Sequence, residues 1–184
     1  MRYFKYFQFG STGSGGGVTN YYGSFYSTVT QNTLGSTAEV MTFNNTALSS
    51  GVSVVTSGGK ASRITVANPG IYNFQFSAQV WKTSGGTKET LYIWFRKNGV
   101  DIPNSNTAVT LANNNDLIVP AWNFMESMTA GQYLEIVWYS TDSHIELHNN
   151  TSPLGLITKA LPLAIFLICF VINETENIFC SVLY

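Results

Sequence analysis

Residues 71–81 read Ile71-Tyr-Asn-Phe-Gln-Phe-Ser-Ala-Gln-Val-Trp81, and they alternate strictly. In an extended chain Tyr72, Phe74, Phe76, Ala78 and Val80 share one face, and Asn73, Gln75, Ser77 and Gln79 share the other, because successive side chains of a strand point to opposite sides. One apolar side and one wet side is the pattern of an antiparallel strand laid over a core. Ile64 and Val66 lead into it through Asn68-Pro69-Gly70, where Pro and Gly favour a turn, and Thr83-Ser-Gly-Gly-Thr87 ends it. Working outward, Leu91, Ile93 and Phe95 form a second inward face that stops at Lys97-Asn98-Gly99. Leu134, Ile136 and Trp138 form a third, preceded by Ala130-Gly131-Gln132. No stretch shows a capped helical period.

Two strands are apolar on both sides. In Leu91–Phe95, Tyr92 and Trp94 occupy the second face, and the run from Ala160 to Ile172 is broken only by Pro162. As a helix the 13 residues of that run would rise about 20 Å, short of the roughly 30 Å of a bilayer core, so they predict a long strand and no membrane span. An antiparallel sandwich ordinarily leaves one side of each sheet in water. The extra apolar faces therefore predict burial against copies of the same chain, with Tyr92, Trp94, Leu163, Ile165, Leu167 and Phe170 as the expected interface residues.

Composition agrees. A chain of 184 residues suits one domain with short tails, and charged residues make up only 10% of it, against roughly 25% in an average protein. Asn, Ser, Thr and Gly solvate the surface instead, and these are residues of turns and exposed strand faces. With 9 basic and 10 acidic residues and no basic run, no nucleic-acid partner is expected. The two cysteines, Cys169 and Cys180, do not indicate a stapled scaffold. Met1 to Phe9 lacks the apolar core of a secretory signal, so export by that route is not expected. The same segment carries Tyr3, Phe4, Tyr6, Phe7 and Phe9 ahead of a Gly/Ser run ending at Gly17, which reads either as a frayed first strand or as a tethered arm that docks on a neighbouring protein. The expected organisation is an arm and linker over 1–17, one β domain over 18–172, and a tail over 173–184.

Arg63-Ile-Thr-Val-Ala-Asn-Pro-Gly-Ile-Tyr-Asn-Phe-Gln-Phe76, Leu91-Tyr-Ile-Trp-Phe-Arg-Lys-Asn-Gly99, Met128-Thr-Ala-Gly-Gln-Tyr-Leu-Glu-Ile136 and Leu161 to Ile172 resemble, in order and spacing, the strands and turns of the tumour necrosis factor and complement globular-head family. The likeness spans about Tyr21 to Ile172. Tyr22-Gly-Ser-Phe25, Met41-Thr-Phe-Asn-Asn45 and the Asn-rich wording are similar to versions of this domain in structural proteins of tailed bacteriophages and large DNA viruses. The resemblance implies an all-β, antiparallel jelly-roll sandwich, homotrimeric about its inner sheet, with a role in display, adhesion or shell decoration. Two departures stand out: Ala164-Ile165-Phe166 replaces the family's aromatic-Gly-aromatic signature, and Gln132 replaces an acidic residue after the turn Gly.

Among patterns that carry chemistry, His144-Ile-Glu-Leu-His148 is the sharpest. Period two puts His144, Glu146 and His148 on one strand face, a donor set suited to Zn²⁺ at about 2 Å. Same-face neighbours lie about 7 Å apart along a strand, so one ion would need a bulge or an outside ligand, and an exposed polar face is the alternative. Asn113-Asn-Asn-Asp116 offers oxygens for Ca²⁺ or a turn closed by Asx hydrogen bonds. Asn44, Asn150 and Asn173 begin glycosylation patterns of the kind that chance supplies in such a composition. Trp81, Trp122 and Tyr139 could stack on sugars at a rim or pack along an assembly axis. Asp142-Ser143-His144 holds triad residue types, but neighbours in one extended segment diverge. No phosphate-loop, dinucleotide or Gly-x-Ser-x-Gly fingerprint is present, and no enzyme is expected.

The leading expectation is a virion protein assembled in a host cytoplasm. It would be a trimeric fibre head or capsid decoration module, joined to other virion proteins by the arm and contacting a host glycan or surface protein. A secreted or cell-surface lectin-like trimer is the second reading, and a metal-dependent jelly-roll enzyme built on His144, Glu146 and His148 is the third.

Overall fold

The computed structural model describes residues 21–33, 35 and 37–149, and the backbone of a strand over 164–170. Every regular element among them is a strand. The first eight are β1 (Tyr22–Tyr26), β2 (Gln31–Asn32), β3 (Glu39–Val40), β4 (Asn45–Ser50), β5 (Val52–Ser57), β6 (Lys60–Val66), β7 (Gly70–Ser77) and β8 (Val80–Lys82). The remainder are β9 (Glu89–Lys97), β10 (Val100–Asp101), β11 (Thr107–Leu111), β12 (Leu117–Ile118), β13 (Ala121–Met128), β14 (Tyr133–Ser140), β15 (Ile145–Leu147) and β16 (Ala164–Phe170).

They pair antiparallel into a sandwich. One sheet runs β13-β7-β16-β1-β4, and the facing sheet runs β10-β9-β14-β6-β5 with β11 on β9 and β3 on β14. A small sheet, β12-β8-β15-β2, closes one end. The predicted inward faces fill the space between. Tyr72, Phe74 and Phe76 of β7 pack toward Leu91, Ile93, Phe95, Leu134, Ile136 and Trp138 of β9 and β14, all of them buried. Aromatic contacts tie the layers: Phe76 meets Phe95 edge-on at 5.9 Å, and Phe95 stacks on Phe124 at 4.7 Å.

The turns follow their sequence signals. Asn98 and Gly99 take φ of 49° and 83°, both left-handed, which a two-residue hairpin turn needs and which Asn and Gly tolerate. The Asn98 side-chain oxygen Oδ1 also accepts the Tyr133 N–H at 3.0 Å, so the turn is pinned to β14. Gln132 stands where the resemblance leads one to expect an acid, and its side-chain oxygen accepts the Thr129 N–H at 2.9 Å, closing the turn without a charge. At Asn68-Pro69-Gly70 the chain passes from one sheet to the other, and the Tyr72 hydroxyl donates to the Asn68 carbonyl at 2.7 Å.

The single strand expected over 71–81 is two strands. β7 ends at Ser77, and β8 begins at Val80 in the small sheet. Between them the Ala78 N–H donates to Pro120 O and Gln79 O accepts the His148 N–H, so the backbone changes partners while the side-chain alternation continues. Ala78 and Val80 are accordingly buried. The wet side is also drier than alternation implies, with Asn73 5% and Gln79 8% exposed. Asn73 sits where β7 is flanked on both sides and bonds the Asn123 amide at 3.3 Å. Of the long apolar run 160–172, β16 covers 164–170 and occupies the centre of its sheet; 160–163 and 171–172 lie outside the described residues.

Candidate interaction surfaces

Two outer faces bound the sandwich, and they differ in charge. On the five-stranded sheet the rows in register are Ser50, Tyr22, Ile168, Asn73, Met125 and then Leu48, Ser24, Phe166, Gln75, Asn123. Tyr22 (41%), Leu48 (63%), Ile71 (38%) and Met125 (55%) are exposed there. Across all five strands the only Asp, Glu, Lys, Arg or His is Glu126, in register with inward-facing Tyr72 and engaged by Lys97 at 2.8 Å. The outward positions of these strands therefore carry apolar, hydroxyl and amide residues and no charged one.

The outer face of the seven-stranded sheet is ion-paired. Arg63 lies 3.6 Å from Glu135 and stacks 4.3 Å over the Tyr133 ring, and Arg96 bonds Asp101 at 2.8 Å. Amid these charges lies a shallow groove of about 330 Å³, lined by Tyr92, Trp94, Asp101, Ile102, Asn104, Asn106 and Tyr139. Its floor follows from strand geometry. Tyr92 and Trp94 are two apart on β9, and Tyr139 of β14 stands opposite Tyr92, their rings 6.4 Å apart and 29° from parallel. The Asn-Gly turn returns the chain so that Asp101 sits opposite Arg96, and residues 102–106 then bulge before rejoining β9 at Thr107. Buried Ser105 fixes the bulge: its hydroxyl accepts the Phe95 N–H at 3.1 Å and donates to Ile102 O at 2.8 Å. Hydrogen bonds from Trp94 and then Arg96 hold the Asp101 carboxyl below its ordinary value.

At the small sheet, Ile145 and Leu147 point into the core as the alternation requires, but the flanking imidazoles are spent separately. His144 Nδ1 lies 2.6 Å from Asp142, and His148 Nδ1 lies 2.6 Å from Glu146 with its ring edge-on to Trp81 at 4.6 Å. Among the described residues no group of three His, Cys, Asp or Glu side chains converges as a metal site. In the 113–116 loop, Asp116 Oδ2 accepts the N–H groups of Ala112 and Asn113 at 2.9 and 2.8 Å, an Asx-closed turn. Buried Lys82 lies beneath these loops, donating to the Thr87 carbonyl.

These loops carry an acid-sensitivity prediction. The backbone hydrogen bond from Asn113 lowers the Asp116 pKa; at Asp142 burial pushes upward but is outweighed by bonds from His144, and the result is again lowered. With Asp101, three carboxyls lie below their ordinary value of 3.8. A depressed folded pKa contributes stability that is present above the unfolded value and lost as pH falls through the folded one. The melting temperature is thus expected to stay level from about pH 7 to 5 and to drop below about pH 4, with Asp116→Asn flattening part of that slope in a thermal series.

The expected interface residues do not gather on one surface. Tyr92 and Trp94 floor the groove on the seven-stranded sheet, whereas Ile165, Leu167 and Phe170 belong to β16 in the other sheet. Ile165 and Leu167 stand in register with core-facing Phe76 and Phe74, and Phe170 with exposed Ile71. Leu163 and the arm residues Tyr3, Phe4, Tyr6, Phe7 and Phe9 lie outside the described residues, as do Asn150 and Asn173. Asn44 is described, and its amide bonds Thr28. Of the rim aromatics, Trp122 packs edge-on against Phe76 at 4.3 Å and Trp81 meets His148, so only Tyr139 reaches the groove. Sequence reading missed Asp101, Asn104 and Asn106; the available signal was the Asn98-Gly99 hairpin, which had to bring Asp101 back beside Arg96.

No protein-family model matches the sequence, and no curated protein does. Among solved structures the chain is similar to the crystal structure of murine APRIL at pH 5.0, with a TM-score of 0.50 and 8% identity over 83% of this chain and 100% of that one. At that identity the likeness concerns architecture alone, and the architecture is the tumour necrosis factor-like β-sandwich.

Proposed function

We propose that this chain is a non-catalytic assembly and attachment module that works as a homotrimer packed through the outer face of its five-stranded sheet. The observation that carries the reading is the contrast between the two outer faces. One is ion-paired, as a solvated surface is; the other exposes Tyr22, Leu48, Ile71 and Met125, and among the described strand residues that point outward there none is charged. Interface centres are depleted in charge in just this way, and closed symmetry is the usual outcome of self-association. Tyr92 and Trp94, on the opposite side of the sandwich, are not part of the proposed interface.

The setting proposed is a virus particle, as a fibre head or capsid decoration module, with the 1–17 arm docking on other virion proteins. Support comes from the likeness of the Asn-rich wording to phage and large-virus versions of the domain and from the aromatic residues ahead of a Gly/Ser tether. A lectin-like trimer acting outside a particle is the second reading, favoured by the aromatic groove. Deleting residues 1–17 separates the two. Co-expressed with the genes that flank it, the truncated protein of a virion component keeps its assembled mass but is absent from purified particles. Unchanged incorporation, or no particle at all, contradicts the virion reading.

A further inference from the structure

We infer that the groove floored by Tyr92, Trp94 and Tyr139 is a binding site for a neutral saccharide. The inference deepens the attachment reading by naming what is held and where. The floor is the first reason. Ring centroids 6.4 Å apart at 29° are too distant for face-to-face contact, so the two tyrosines are offset and nearly parallel. With Trp94 one strand repeat away they offer an extended aromatic shelf. A pyranose has a C–H face that stacks on such rings and a rim of hydroxyls that needs hydrogen bonds, and this shelf has both complements. Asp101 supplies acceptor oxygens, and Asn104 and Asn106 supply one acceptor and two donors each at the groove wall.

Charge selects among ligands. Asp101 is the one charged residue of the lining, and Arg96 Nε already bonds it at 2.8 Å. A sulfated, sialylated or phosphorylated ligand would meet that carboxylate, the described lining holds no Lys or Arg, and Arg96 is committed to Asp101. A quaternary ammonium is the other ligand that aromatics and a carboxylate attract, but it is held where ring faces converge around a point. Here the two tyrosine planes are 29° from parallel and do not converge as the walls of a cage do. The wall is also built before any ligand arrives, because Ser105 ties the 102–106 bulge to β9 by accepting the Phe95 N–H and closes it by donating to Ile102 O. Preorganisation of this kind lowers the ordering cost of binding.

Position matters too. The groove and the proposed assembly face lie on opposite sides of the sandwich, so trimerisation leaves the groove open. Three grooves on one particle would add avidity to weak single contacts.

The test uses the full chain on an array carrying cellohexaose, triacetylchitotriose and lactose alongside sialyllactose, heparin hexasaccharide and a trimethylammonium ligand, with tryptophan fluorescence titration of any hit. Binding to a neutral sugar is expected. It should fall about tenfold or more in Tyr92→Ala and Trp94→Ala and persist in Tyr92→Phe, which keeps the ring. Circular dichroism and solution mass are read on every variant. They should match the wild type, so that loss of binding is not loss of fold or assembly. Failure to bind any neutral sugar, preference for the anionic or cationic probes, or binding that survives both alanine variants overturns the inference. Groove-dependent sugar binding by a protein whose mass is that of one chain would uphold it while refuting the trimer.

Discussion

Trp138→Ala is expected to cost about 3–5 kcal/mol, while Trp138→Phe costs a fraction of that. Trp138 is the largest fully buried side chain among the described residues, 0% exposed on the inward face of β14. Removing it leaves a cavity at the centre of the seven-stranded sheet, and a packed core relaxes only partly around such a void. A domain of this size has about 5–15 kcal/mol in all, so the alanine variant approaches the limit of folding. Phenylalanine behaves differently for a chemical reason. The indole N–H of Trp138 has no acceptor among the described residues, so Phe loses volume but no hydrogen bond. Urea unfolding followed by circular dichroism measures both. Equal midpoints for the two variants would show that the indole N–H, not the ring volume, matters at this site.

Introducing lysine at Leu48 and Met125 together is expected to convert the assembly to single chains without unfolding them. Both side chains are more than half exposed within one chain, at 63% and 55%, so a monomer accepts the lysines with little strain. In the assembly the same ammonium groups would be desolvated on a face whose described strands point no Asp or Glu outward. A buried unpaired charge costs several kcal/mol, enough to abolish a contact of ordinary affinity. The matching control places lysine at Thr65 and Val55 on the other sheet, where charges already stand. That control should leave the mass unchanged.

The fold was largely legible because its decisive signals are local. Tyr72, Phe74 and Phe76 declare an inward face by alternation, and Asn98-Gly99 declares a hairpin by the φ values only such residues adopt easily. What was not legible depends on partners distant in the chain. The strand over 71–81 divides because Pro120 and His148 supply hydrogen bonds at Ala78 and Gln79, and nothing within 71–81 announces them. The same limit applies to the surfaces. Alternation showed that Tyr92 and Trp94 form a second apolar face, but not that this face belongs to the sheet away from β16. For His144, Glu146 and His148 the period gave a shared side but no distances. Each imidazole instead found a carboxylate two residues away.

The central claim is that the uncharged face of the five-stranded sheet is where copies of this chain meet. Solution mass by sedimentation equilibrium at micromolar concentration tests it most directly. A value three times the 20.2 kDa of one chain, falling to that of one chain in the Leu48→Lys, Met125→Lys double variant, is the predicted result. A wild-type mass of 20.2 kDa, or a trimer indifferent to the two lysines, would contradict it.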